Sequence, residues 1–269
     1  MKNFDYIGIG FCSNDHLAVL PFIPMDTKVR MLSHRIMGGG PAANSTAGAA
    51  SLGKSAAFVG TVGDDADGDM MLAVSDMEIC ERITPDYIAS NLSLLNNAQV
   101  VVADGNLPAE TLEYLAEHCT APIFADPVSV TKAEKLRPIL GRLNTLKPNR
   151  MEAELLSGVR ITDEGSMRLA SEKLLETGLH RVFLSLGAEG VFAANGKESR
   201  IYPCLPASVR STTGAGDAFM AALVWAYLEG MNLEDTVRAA SAAAAIATES
   251  EETINPALSE TALRERIQR

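Results

Sequence analysis

The chain has 269 residues, 47% of them hydrophobic, which is enough for one large core. Its formal net charge of -11 opposes a phosphate backbone, and no Lys/Arg cluster stands out, so nucleic-acid binding is disfavoured, although backbone N–H groups can still hold a small anion. Cys12, Cys80, Cys119 and Cys204 lie far apart, with neither a C-x-x-C pair nor a disulfide-dense pattern, and read as reduced, mostly buried thiols.

From the start of the chain, MKNFDYIGIG places Asp5 inside what would be the apolar part of a signal peptide. No apolar run reaches bilayer length, so a cytoplasmic protein with no membrane partner is expected. Short β-type runs at Tyr6–Gly10, Ala57–Gly60, Val100–Ala103, Ile123–Asp126, Thr145–Lys147 and Val182–Leu186 alternate with amphipathic segments. This alternation predicts a parallel sheet covered by helices. Residues 16–37 break the pattern: β-like pieces around Pro21 and Pro24 predict an antiparallel flap. Helix starts are marked by Thr84-Pro85 ahead of Asp86–Leu95, by Pro108 ahead of Ala109–His118, and by Asp163 ahead of Met167–Thr177, which Gly178 closes. Two strand runs, VVAD and IFAD, end in a carboxylate at the edge where open α/β sheets bind ligands. Gly190–Ala194 and Arg200–Cys204 read as a meander, followed by Ala-rich helices through Ile267. Without a repeat or linker, residues 1–269 form one domain.

Three segments carry candidate chemistry. In Thr212-Thr213-Gly214-Ala215-Gly216-Asp217, glycines precede AFMAALVWAYLEG, where Phe219, Met220, Leu223, Val224, Tyr227 and Leu228 share one helical face and Gly230 is the stop. Glycines at a helix start expose N–H groups to an anion, and Asp217 lies in the first turn beside them. The plainer reading is a tight turn with Asp217 as an ordinary first-turn residue. Gly38-Gly39-Gly40-Pro41-Ala42-Ala43-Asn44 opens a helix in which Ala43, Ala47 and Ala50 are expected against the sheet, and Asn44 is free to meet hydroxyls; the alternative is a flap hinge plus a helix start. In Lys147-Pro148-Asn149-Arg150-Met151-Glu152, Asn149 and Glu152 have capping-box spacing, and the carboxylate is also suited to hold Mg²⁺ through water.

These segments, in this order, resemble the ribokinase or PfkB family of carbohydrate and nucleoside kinases over nearly the whole chain. The resemblance runs from Asp15 through GGGPAAN, VGDDADG (Val62–Gly68), LKPNRMEAE and LSLGAEG (Leu184–Gly190) to TTGAGDAF. It implies a three-layer α/β/α sandwich with a mainly parallel central sheet and a small, here shortened, β lid that includes residues 16–37. It also implies transfer of a phosphate from ATP to a hydroxyl of a small sugar or nucleoside. Asp217 would be the base, with Gly214, Ala215 and Gly216 as the anion hole. Asp15, Gly39, Gly40 and Asn44 would contact the substrate. Asn149, Ser185, Gly187, Gly190 and Asn255 would serve ATP, and Glu152 would serve Mg²⁺. A homodimer through the lid is expected.

Within the family, ADPVSV (Ala125–Val130), LNTLKPNRMEAELLSG and Ser75–Ile88 are similar to pseudouridine kinases, whereas GGGPAANS resembles ketohexokinase-like sugar kinases. Ser211 stands where many relatives carry the Asp of a monovalent-cation site. Further lid strands are expected between Gly68 and Ser75, yet the chain passes almost directly from Asp69-Met70-Met71 to Asp76. Either the lid is shortened or a stretch is missing from the sequence. A non-catalytic sugar or nucleoside binder is therefore a second reading. A dinucleotide site at Gly8-Ile9-Gly10 lacks its third glycine, since Ser13 stands there. The histidines His16, His34, His118 and His180 lack metal-ligand spacing, and His118 is expected at the surface.

Overall fold

Runs of apolar residues buried on both faces build the sheet. The computed structural model describes residues 3–19, 32–61 and 78–268. Its strands, in chain order, are β1 (Phe4–Phe11), β2 (Ser13–Val19), β3 (Ser33–Gly39), β4 (Ala56–Thr61), β5 (Ala98–Asp104), β6 (Ile123–Asp126), β7 (Leu143–Leu146), β8 (Arg181–Ser185), β9 (Val191–Asn195) and β10 (Ser199–Tyr202). All except β2 and β3 join one sheet in the order β10-β9-β8-β7-β6-β5-β1-β4. The strands from β4 to β8 in that row are parallel, while β9 and β10 add antiparallel pairings. In β5 the side chains alternate: Val100 and Val102 enter one core, Val101 and Ala103 the other.

The helices are α1 (Pro41–Ser51), α2 (Glu78–Glu81), α3 (Pro85–Asn96), α4 (Ala109–His118), α5 (Val130–Ala133), α6 (Arg150–Ser157), α7 (Glu164–Glu176), α8 (Ala215–Leu228), α9 (Leu233–Thr248) and α10 (Glu260–Ile267). One face of the sheet is covered by α3, α4, α6 and α7, through residues such as Ile88, Leu112, Ala153 and Leu174. The other is covered by α1, α8, α9 and α10, through Ala49, Leu223, Val237 and Leu263. The result is the expected three-layer sandwich. Local signals account for the helix starts: Thr84 caps α3 by accepting from the Tyr87 N–H at 3.2 Å, and Asp163 forms a capping box with Ser166.

β2 and β3 pair antiparallel, from Ser13 opposite Gly39 to Val19 opposite Ser33, as a two-stranded sheet of their own. Pro21, Pro24, the VGDDADG segment and the stretch in which lid strands were expected lie outside the described residues.

Three expectations need correction. In α1 the buried residues are Ala42, Asn44, Ser45, Thr46, Gly48 and Ala49, not the Ala43, Ala47, Ala50 stripe. Small residues occupy several faces of this helix, so alanine spacing cannot orient it; the contact between the Ser45 hydroxyl and the buried Tyr6 hydroxyl, at 2.6 Å, lies on the face that is buried. Helix α8 is not one-faced either. Every residue from Ala218 to Ala226 is buried, because α1 and α9 pack on it in addition to the sheet. Finally, Cys80 and Cys119 are buried but Cys12 and Cys204 are exposed. Cys12 falls in the break between β1 and β2, and Cys204 follows the edge strand β10.

Removal of the α3 cap should be felt globally, because Ile88 and Leu95 of that helix enter the core. Thr84→Ala is expected to cost about 1 kcal/mol and to lower Tm by about 2–4 °C. An unchanged melting curve would show that the cap is not used.

Candidate active site

The winding of the sheet reverses at β1, which lies between β4 and β5. Outside the carboxyl ends of the strands at such a reversal a crevice forms. Asp104 ends β5, Asp126 ends β6, Lys147 directly follows β7, and Ser185 ends β8, so all four gather along that edge.

The start of α8 faces the same edge. Its cap, Gly214, has φ +78°, and a Cβ there would fall 1.9 Å from the Thr253 carbonyl oxygen. Only glycine satisfies both the left-handed conformation and that approach. The Ala215 N–H donates to the Thr212 carbonyl at 3.3 Å, whereas the Gly216 and Asp217 N–H groups have no acceptor among the described residues. These free donors, at the positive end of a 14-residue helix, form a site for an anion.

Asp217 is the third residue of α8, and its Oδ2 accepts from Asn44 Nδ2 at 2.9 Å. Burial pushes its carboxyl up to about 7; the Asn44 bond and the Lys147 charge pull it down, while Asp126 and Asp104 push it further up. Asp104, fully buried, is raised to about 6, mainly by desolvation, although it accepts from the Asn106 N–H at 2.8 Å and the Ala42 N–H at 3.3 Å. Asp126 Oδ2 pairs with Lys147 Nζ at 2.8 Å, and its Oδ1 accepts from the Val128 N–H at 3.0 Å. Val128 has φ +68°, an outlier for a β-branched residue. For Lys147, burial is the largest single influence and lowers the pKa, but the charge and hydrogen bond of Asp126 together with the charges of Asp217 and Glu152 exceed it, and the net direction is up.

The anticipated site residues therefore divide. Asn44 and Asp217 touch, and Gly214, Ala215 and Gly216 sit at the helix start beside them. Gly39 ends β3, Gly40 caps α1 at φ +96°, and Asp15 lies on β2 opposite Met37. Asn149 and Ser185 are joined by a bridge between their backbones and, with Gly187 and Glu189, border an open cleft of about 250 Å³. Gly190 closes the turn over Gly187, donating to its carbonyl at 3.2 Å. Asn255 borders a pocket shared with Asn44, Gly214 and Asp217; its Nδ2 donates to the Ile246 carbonyl at 2.6 Å and its Oδ1 accepts from the Ala257 N–H at 2.9 Å. Lys147 was not anticipated as a site residue. Its signal was the ending of the TLK run at the same edge as VVAD and IFAD.

A sequence profile described as pfkB family carbohydrate kinase matches residues 9–78 and 81–261. The chain belongs to this family. A pseudouridine kinase of Escherichia coli K12 is 37% identical over 197 residues, 72% of this chain and 63% of its own length; the match thus spans less than two thirds of that relative. A ribokinase of Haemophilus influenzae is 26% identical over 276 residues, 88% of this chain and 90% of its own. The structure of Arabidopsis thaliana ribokinase with ribose and ATP matches at a TM-score of 0.80 and 20% identity over 99% of each chain, so the ribokinase-like fold is shared.

Membership in the pfkB family raises the question of Mg²⁺ at Glu152. Glu152 Oε2 accepts from the Asn149 N–H and Oε1 from Asn149 Nδ2, both at 2.8 Å, and the side chain is buried. Among the described residues, no group of three His, Cys, Asp or Glu side chains could hold a metal. These residues do not make a metal centre by themselves, and Glu152 serves the capping box.

The raised carboxyl of Asp217 has a consequence for stability. Its folded-state pKa of about 7 exceeds the ordinary 3.8, so the folded chain binds the proton more tightly and stability falls as pH rises from about 4 to 7. Asp217→Asn should therefore raise Tm at pH 8 and do less at pH 5; equal effects at both would contradict the burial of an ionising group.

Proposed function

We propose that this pfkB-family chain is an ATP-dependent phosphotransferase that phosphorylates a hydroxyl of a small sugar or nucleoside, with pseudouridine the favoured acceptor. The observation that carries the reading is a partly buried carboxylate, Asp217, beside N–H groups at the start of α8 that have no acceptor among the described residues. Phosphoryl transfer asks for alignment, charge stabilisation and a group to take the hydroxyl proton. A carboxyl near pH 7 is matched to that task, since it is partly ionised yet basic enough to accept a proton.

In this mechanism the acceptor oxygen attacks the terminal phosphorus in line. The bond from that phosphorus to the bridging oxygen breaks, ADP leaves, and the hydroxyl proton passes to Asp217. The Gly216 and Asp217 amides hold the phosphoryl oxygens. Asn44, donating to Oδ2, orients the carboxylate. Mg²⁺ would arrive with the nucleotide, and no step is assigned to it. The cleft bordered by Asn149, Ser185 and Gly187 lies at the same edge and is the candidate place for the nucleotide.

The acceptor assignment is supported by the 37% identity to a pseudouridine kinase. Ribose is the second reading, supported by the longer alignment with a ribokinase. The β2–β3 ribbon pairs with no other strand among the described residues, which supports joining of two chains through it.

Turnover of ATP with pseudouridine, ribose, fructose and adenosine tests the reading directly. Asp217→Asn should lower kcat by about 10²–10⁴ while nucleotide binding persists. For the unaltered chain, kcat/KM should fall as pH drops below about 7. An unaltered kcat in the variant rejects Asp217 as the base.

A further inference from the structure

The proposed mechanism leaves the cation at the site, Lys147, without a task. Lys147, only 8% exposed, leaves the end of β7 with its ammonium against Asp126. It also lies at the mouth of the anion site: a Cβ built on Gly216 would be 3.5 Å from Lys147 Nζ. The ammonium and the free Gly216 N–H therefore border the same small space, which the glycine leaves open.

A buried ion pair is weak evidence of stabilisation, because desolvation of two charges offsets their attraction. This pair also sits in unusual company. Lys147 is faced by Asp126 from β6, Asp217 from α8 and Glu152 from α6, and Asp104 from β5 lies within electrostatic reach of Asp126. The Asp126 carboxylate is itself fixed, since its second oxygen holds Val128 at φ +68°. Backbone outliers of this kind concentrate at functional sites. The arrangement holds a cation in one place among acids, where a phosphoryl group would bring further negative charge.

We propose that Lys147 is a catalytic residue, its ammonium binding the oxygens of the transferring phosphoryl group together with the Gly216 and Asp217 amides, and that Asp126 is the positioning residue that holds it there. The proposal rests on the phosphotransferase reading. Lys147 stays protonated throughout: the phosphorus changes oxygen partners, and the only proton that moves goes from the acceptor hydroxyl to Asp217.

The same placement couples Lys147 to the base. Asp217 is faced by Asn44 from α1, Tyr6 from β1, Asp104 from β5, Asp126 from β6 and Lys147 from the end of β7. Among the charges that bear most strongly on it, Lys147 is the cation and lowers its pKa. Loss of Lys147 should move the acid limb of the pH profile upward.

The test compares Lys147→Arg, Lys147→Met, and Lys147→Met combined with Asp126→Asn, which removes the carboxylate that the single change would leave unpaired. Each is first checked for a cooperative melt. Lys147→Met should lower kcat by about 10²–10³ with little change in acceptor KM, and should shift the acid limb to higher pH. It should also weaken ATP binding more than ADP binding, and Lys147→Arg should recover part of each loss. The double variant should fold and remain slow. A folded double variant with unaltered kcat and an unaltered ratio of ATP to ADP affinity would overturn the proposal and leave the pair a structural one. Failure of the phosphotransferase reading looks different: the unaltered chain would turn over no acceptor, and the ATP-to-ADP comparison would still decide whether Lys147 meets the terminal phosphate.

Discussion

A carboxylate that is taken out of water and yet must ionise governs this structure. Asp217 is partly buried, near Asp104 and Asp126, and its carboxyl is pushed up to about 7. Water would relieve that strain and would also abolish the basicity that proton transfer requires. The fold supplies compensation in small amounts: an amide from Asn44, the end of a helix dipole, and the ammonium of Lys147. Each is held by a separate element, so the site depends on the register of α1, α8 and the strand ends together.

That register rests on close backbone approaches. Gly214 brings the first turn of α8 against the carbonyl of Thr253, and Gly40 starts α1 where a Cβ would strike the Phe11 carbonyl at 2.3 Å. The two helices pack on one another beneath the site, which brings Asn44 of α1 to Asp217 of α8. Asn149 and Glu152 do the same for α6, whose capping box fixes the turn that carries Lys147 into the crevice. Function here is written on helix starts, where unpaired N–H groups are unavoidable and a ligand can use them.

Much of this was legible in the amino-acid sequence, for physical reasons that differ by element. Strands such as VVAD announce themselves because both faces are buried, α3, α6 and α7 because their caps use particular side chains, and α4 because Pro108 marks its start. The helix start at Gly214-Ala215-Gly216-Asp217 was legible because glycine with φ above zero has few substitutes. Orientation was not. In α1 the small residues lie on several faces, and only tertiary contacts such as Ser45 with Tyr6 show which face is buried. The all-round burial of α8 depends not only on the neighbouring α9 but on α1, far back in the chain. Lys147 escaped notice because a lysine after a strand is ordinarily solvated; its burial depends on Asp126, 21 positions earlier, meeting it across the sheet edge. Asn255, expected to serve a ligand, has its side-chain amide engaged by the Ile246 carbonyl of α9 and the Ala257 N–H.

The central claim is that a nucleotide's terminal phosphate settles on the first turn of α8 with Asp217 beside the incoming alcohol. A crystal structure with a non-hydrolysable ATP analogue and the acceptor measures this directly. The account predicts phosphoryl oxygens within about 3 Å of the Gly216 and Asp217 nitrogens, and the acceptor hydroxyl on the Asp217 carboxylate. A terminal phosphate bound away from that turn, or an acceptor with no hydroxyl near Asp217, would contradict it.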